Sequence, residues 1–174
     1  MKLYIKSILV VFVVLGGCQS DLYTKHLATE TLRDRPSVSL VSGYLDLRYT
    51  ENEAIAFSFL DSMPKEVKRP LFSSLQLFSS LLVCILLVLW RKKPFWSLLP
   101  FVLILSGALG NALDRVRLGY VVDFIHFHIQ DRFSWPVFNI ADILISVGIG
   151  LLILQLLLQK QTPFDRPAPA SPAS

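Results

Sequence analysis

Charged side chains are scarce in this chain. Lys, Arg, Asp and Glu together make up 17% of 174 residues, against about 25% in ordinary soluble domains. A soluble fold must cover its surface with polar groups. This scarcity, beside 53% apolar residues and a mean hydropathy of +0.54, argues against one. It equally excludes a disordered chain, which needs low hydropathy and high net charge. Cysteine is nearly absent. Cys18 and Cys84 cannot build a disulfide scaffold, and no Cys-x-x-Cys or Cys/His cluster suggests zinc. There is no internal repeat and no RNA- or DNA-binding motif, so the net charge of +4 needs another origin.

What the chain does hold is long apolar runs. Leu71–Trp90 and Phe95–Leu113 contain no charged residue, and Val137–Leu158 contains only Asp142. Each approaches the ~20 residues that cross a bilayer as a helix. Soluble-core helices alternate apolar and polar faces, whereas these runs are apolar all round. The first segment, residues 3–20, has two readings. Leu15-Gly16-Gly17-Cys18 resembles a lipobox, which would make Cys18 a lipidated N-terminus. The rival is an uncleaved first span, favoured because three further spans make a lipid anchor redundant. The expected fold is therefore an all-α membrane protein. Four spans cover about 3–20, 71–90, 95–113 and 137–158, within one domain over 1–160.

Lys2 and Lys6, Arg91-Lys92-Lys93, and Lys160 with Arg166 all fall on one side of four spans. The positive-inside rule places them, and both termini, in the cytoplasm. The outer loop from 21 to 70 carries seven basic and eight acidic residues, so the basic excess is a matter of topology. Ser37–Tyr49 is rich in β-formers around Gly43, which predicts a small β-element on the outer face. Asp61-Ser62-Met63-Pro64 reads as the start of a short helix there. Residues 161–174, rich in Pro, Ala and Ser, read as a flexible cytoplasmic tail.

Polar groups beside a span are costly and are functional candidates by default. They fall in three clusters: Gly110-Asn111-Ala112-Leu113-Asp114-Arg115, Val121-Val122-Asp123-Phe124 and Phe138-Asn139-Ile140-Ala141-Asp142. All three lie near the outer boundary. Asp142 sits one turn inside the fourth span, on the same face as Asn139. Asp123 lies in a short extended piece that a returning loop can bring opposite Asp142. Two carboxylates in a low-dielectric pocket share a proton. One then activates water while the other protonates a peptide carbonyl, as in aspartic proteases. Spacing alone leaves a second reading open: Asp142 complements a helix dipole and Asp123 anchors a loop.

At these residues the sequence resembles the bacterial lipoprotein signal peptidases (signal peptidase II). The resemblance rests on the three clusters, on Gly119–Phe124, on Asp21-Leu22-Tyr23-Thr24-Lys25 after the first span, and on Asn52 with Ala56-Phe57-Ser58-Phe59. These motifs follow the family order over residues 4–160. The resemblance implies an inner-membrane aspartyl endopeptidase without cofactor or metal. It would cut diacylglyceryl-modified prolipoproteins before the lipidated cysteine, with prolipoproteins and membrane lipid as partners and no nucleic acid. Asp123 and Asp142 match the catalytic pair. Asn111, Arg115 and Asn139 match polar residues around that pair, and Asn52 matches an asparagine bordering the substrate site. Arg115 can hold a carbonyl or a lipid ester. Asp21 and Lys25 match a pair read as structural, an i,i+4 ion pair. The outer loop departs from the family: Asn52-Glu53-Ala54-Ile55-Ala56-Phe57 stands where Asn-Thr-Gly-Ala-Ala-Phe is usual. An alanine at the glycine position is strained if that position needs a positive φ.

Other residues carry weaker signals. His126 and His128 alternate along one strand face, but a metal site needs at least one more ligand, so they are read as facing solvent or headgroups. Ser106-Gly107-Ala108 with Gly110 gives the third span a small-residue face for close helix packing. Two rivals from other classes stand beside the peptidase: a small proton-coupled transporter using Asp142, and a scaffold lipidated at Cys18. The first predicts polar residues at mid-membrane depth in several spans, whereas here they cluster at one end.

Overall fold

The computed structural model describes residues 2–53, 64–130 and 132–159. Four long helices dominate: α1 (Leu3–Leu32), α2 (Lys65–Leu89), α3 (Phe95–Leu118) and α4 (Ile140–Gln159). All four are long and apolar enough to cross a membrane. In α3, 61% of the most apolar window is buried, against 17%, 17% and 11% in α1, α2 and α4. The third helix is therefore the hub around which the others pack. The outward faces of α1, α2 and α4 carry exposed Leu, Ile, Val and Phe side chains, such as Phe12, Phe78 and Leu157. Such a surface is stable against lipid tails and not against water.

Small residues set the helix spacing. A Cβ on Gly107 of α3 would run into the Ala141 carbonyl of α4, and one on Gly110 would run into the Asp21 carboxylate of α1. Ser106 Oγ donates to Val14 O across the α1–α3 contact at 3.0 Å. Pro100 lies inside α3 and cannot donate to the carbonyl one turn back, that of Trp96. Gln155 Nε2 of α4 supplies the missing donor at 2.7 Å.

A four-stranded antiparallel sheet caps one end of the bundle, in the order β1 (Val38–Val41), β2 (Leu45–Asn52), β3 (Val121–Ile129), β4 (Phe133–Ser134). Gly43, with φ +78°, turns β1 into β2 as only a glycine does easily. Gly119, with φ +82°, ends α3 in the left-handed conformation and releases the chain into β3. Phe124 seats the sheet on Ala28 and Leu32 of α1.

Three boundaries differ from expectation. The first helix does not stop at residue 20 but continues to Leu32. Several polar residues of this extension are satisfied within the helix: Thr24, Thr29 and Thr31 hydroxyls return to carbonyls one turn back, and His26 faces Glu30. The β-element is not confined to residues 21–70, because β3, one of its two inner strands, comes from the segment between α3 and α4. The short helix expected from Asp61 is no separate element among the described residues. Pro64 is the N-cap of α2, which runs on as the second span; Asp61, Ser62 and Met63 lie outside the described residues. Ala54 and the rest of the divergent loop to Phe59 lie outside them too, as does the tail from 160.

Candidate active site

The polar residues that an apolar bundle should exclude gather where α1, α3, the sheet and the start of α4 meet. Lys25 lies at the centre of the α1–α3 contact and is 2% exposed. Three oxygens surround its Nζ: Asp21 Oδ2 at 2.7 Å, Asn111 Oδ1 at 2.8 Å and Asp114 Oδ2 at 3.0 Å. An ammonium has three donors, so the cation is fully engaged and the Asp21–Lys25 pair is an i,i+4 ion pair. The same two carboxylates tie down backbone. Asp21 Oδ1 accepts from the Ala141 N–H at 2.8 Å, and Asp114 Oδ2 accepts from the Val122 N–H at 3.2 Å. Thus α1 grips the first turn of α4, and α3 grips β3 one residue before Asp123.

Lys25 also fixes the next amide. With Oδ1 of Asn111 turned to the ammonium, its Nδ2 must point the other way, and it donates to Asp142 Oδ1 at 2.9 Å. Asn139 completes the arrangement. Its Oδ1 accepts from the Asp142 N–H at 3.0 Å, and Asp142 Oδ2 accepts from the Asn139 N–H at 3.2 Å. This is a reciprocal capping box at the start of α4. Asn139 Nδ2 donates to Asp123 Oδ1 at 2.6 Å, and Asn52 Nδ2 donates to Asp123 Oδ2 at 2.8 Å. One asparagine, itself fully buried, therefore touches both carboxylates.

The two acids differ in setting. Asp123 is 1% exposed. Its carboxyl is pushed up to about 6: burial raises it most, the hydrogen bonds from Asn52 and Asn139 hold it down, and the nearby Asp142 charge adds to the rise. Asp142 is half-buried and opens on a groove of about 250 Å³ lined by Trp135, Phe138, Asp142, Ile143, Ser146 and Val147. A larger groove of about 380 Å³ lies at the opposite end between α1 and α2, and no site residue lines it. Arg115 Nη1 bonds the Asn111 carbonyl within its own helix at 3.4 Å, and its guanidinium lies within electrostatic reach of Asp142, Asp123 and Asp114.

The structure thus brings together every residue singled out in the sequence: Asn52, Asn111, Arg115, Asp123, Asn139 and Asp142, with Asp21 and Lys25 behind them. Asp114 stood in the first polar cluster but was assigned no role from the sequence; it shares the load of the Lys25 cation and holds β3. Its signal was present, three residues after Asn111 and so on the same helical face.

Fold and site define the class: an integral membrane protein with a carboxylate site at one end of an apolar four-helix bundle. The family model described as signal peptidase (SPase) II matches residues 10–158. The lipoprotein signal peptidase of Syntrophus aciditrophicus is 33% identical over 158 residues, covering 90% of this chain and 97% of that one. That of Francisella tularensis subsp. novicida is 37% identical over 164 residues, covering 92% and 94%. A bacterial membrane enzyme solved by the in meso method at 1.9 Å superposes with a TM-score of 0.69 at 27% identity, over 88% of this chain and 94% of that one. The chain belongs to the signal peptidase II family and is an aspartic-type peptidase.

Proposed function

We propose that this enzyme removes signal peptides from diacylglyceryl-modified prolipoproteins, cutting before the lipidated cysteine, with Asp123 and Asp142 as the catalytic pair. The observation that carries the reading is the position of Asn139, which holds both carboxylates at once. Both acids are bonded by neutral amides rather than by a cation, so the pair can keep one proton. Asp123, the more deeply buried acid, holds that proton and gives it to the scissile carbonyl oxygen. Asp142, beside the groove, takes a proton from the attacking water. The roles then reverse: the carboxyl on Asp142 protonates the leaving amine as the tetrahedral intermediate collapses, and Asp123 recovers its proton from the intermediate's hydroxyl.

The groove at Trp135 and Phe138 would receive the peptide, while the diacylglyceryl chains lie in bilayer lipid against the apolar helices. Arg115 and Asn52 flank the carboxylates as positioning groups for a carbonyl or lipid ester. The enzyme would sit in the bacterial inner membrane, with both termini in the cytoplasm and the site at the periplasmic face.

The test is cleavage of a lipid-modified reporter by purified protein. Asp123→Asn and Asp142→Asn should each leave the enzyme inserted and folded but reduce turnover by at least about 10³-fold. The unmodified precursor should be cut poorly by wild type. Wild-type-like turnover by either variant would overturn the dyad, and equal cleavage of both precursors would overturn the lipid requirement.

A further inference from the structure

The sheet carries a second cluster of chemistry-bearing side chains that the proteolytic reading does not use. Asp46 of β2 and His126 of β3 are direct cross-strand partners, and His128 follows His126 by two residues. A strand repeats its face every two residues, so all three side chains stand on one face. The same alternation turns them away from the face that carries Asp123. The two imidazoles stack with centroids 4.9 Å apart and planes at 10°. One ligand atom from each of the three residues lies within 4.8 Å of the others. In a tetrahedral site with bonds of about 2.0–2.1 Å, ligand atoms stand about 3.3 Å apart, so small side-chain shifts suffice to close the set.

Two details of the local geometry suit an ion at this point. His128 Nδ1 lies 3.3 Å from the Gln130 carbonyl, which can hold a proton on Nδ1 while Nε2 serves as a ligand atom. That Nε2 is buried without a hydrogen-bond partner, yet stands 2.9 Å from Asp46 Oδ2. An imidazole nitrogen and a carboxylate oxygen thus converge on one point, which a shared proton or a metal ion would bridge. The rings are also held from outside, as metal-bound imidazoles are: His128 by Gln130 O, and His126 through Nε2 at 2.9 Å from Ser134 Oγ.

We propose that Asp46, His126 and His128 form a binding site for a divalent transition-metal ion of the zinc type on the outer sheet. Two imidazoles and a carboxylate suit zinc, copper or nickel; magnesium and calcium prefer all-oxygen sets. The ion would clasp β2 to β3, the ladder that sets Asn52 near Asp123. Its role is structural, and it does not depend on the enzyme's substrate.

Calorimetric titration of Zn2+ into chelator-treated protein, purified without a histidine tag, tests the site. One equivalent should bind with a Kd below about 10 µM and raise the thermal midpoint, whereas Mg2+ should do neither. Asp46→Asn and the double variant His126→Gln/His128→Gln should each weaken binding about 10–100-fold. Cu2+ loaded in place of Zn2+ should give an electron paramagnetic resonance spectrum with nitrogen couplings from two imidazoles, lost in the double variant. Equal Zn2+ affinity in wild type and Asp46→Asn, or no binding by folded wild type at 100 µM, would overturn the proposal. Asp46→Asn keeps the test open should the double variant fail to fold.

Discussion

At the scale of single residues, the site is a problem in where amide groups point. An asparagine offers both a donor and an acceptor, and a buried one is useful only if its neighbours fix which is which. Lys25 does this for Asn111, and the first turn of α4 does it for Asn139. Asn139→Ala removes a helix cap and the 2.6 Å bond to Asp123 together. Stability should fall by about 1–2 kcal/mol and kcat by about 10²-fold or more; a kcat within threefold of wild type would contradict the bridging role. Asn52 is subtler. Its N–H favours the ionised Asp123, so it holds down a carboxyl that burial raises and that stands at about 6. Deprotonation as pH rises through that value empties the dyad of its proton, so cleavage should decline on the alkaline side. Asn52→Ala lets the Asp123 carboxyl rise further and should move that limb of the kcat/KM profile to higher pH. A limb that stays put or moves down contradicts the assignment. The residue types here were legible in the sequence because charge is so rare beside the spans. The direction of each amide was not, since it depends on Lys25, 86 positions away from Asn111.

At the scale of elements, the informative difference is the length of α1. A hydropathy reading ends the first span near residue 20, where Asp21 appears. The helix nonetheless continues, because leaving the hydrocarbon does not require leaving the helix, and the extension is what carries Lys25 to Asn111 and Asp114. Apolar runs marked the four helices well. They could not reveal that β3 would be an inner strand of a shared sheet, because register depends on pairing between loops some 70 residues apart. The same limitation hid Asp46 from His126 and left the histidines one ligand short. Lys25 is the joint between α1 and α3, and its removal tests that joint. Lys25→Met keeps the length and apolar stem but leaves Asp21 and Asp114 buried without their cation. Breaking a buried ion pair costs about 3–5 kcal/mol, so thermal or denaturant unfolding in detergent should show a loss of that order. Adding Asp114→Asn should recover part of it, since one uncompensated charge is then gone. A Lys25→Met protein as stable as wild type would mean that the cation contributes nothing to joining the helices.

At the scale of the whole molecule, charge and apolar surface divide the bundle end to end. Lys6 Nζ donates to the Lys93 carbonyl at 2.7 Å, so the start of α1 and the α2–α3 turn with Arg91, Lys92 and Lys93 share one end. The sheet and the carboxylates occupy the other. Basic residues in short loops stay on the cytoplasmic side during insertion, so the proposed orientation puts the site outward, where a translocated lipoprotein precursor would present its cleavage point. The orientation can be read with a membrane-impermeant maleimide in a background where Cys18→Ala and Cys84→Ala remove the native thiols. A cysteine at Lys92 should label only in inverted vesicles. A cysteine at Ser39, exposed on β1, should label only in right-side-out ones. The reverse pattern would place the dyad in the cytoplasm, on the wrong side of the membrane for exported lipoproteins, and would force a different substrate on the same carboxylates.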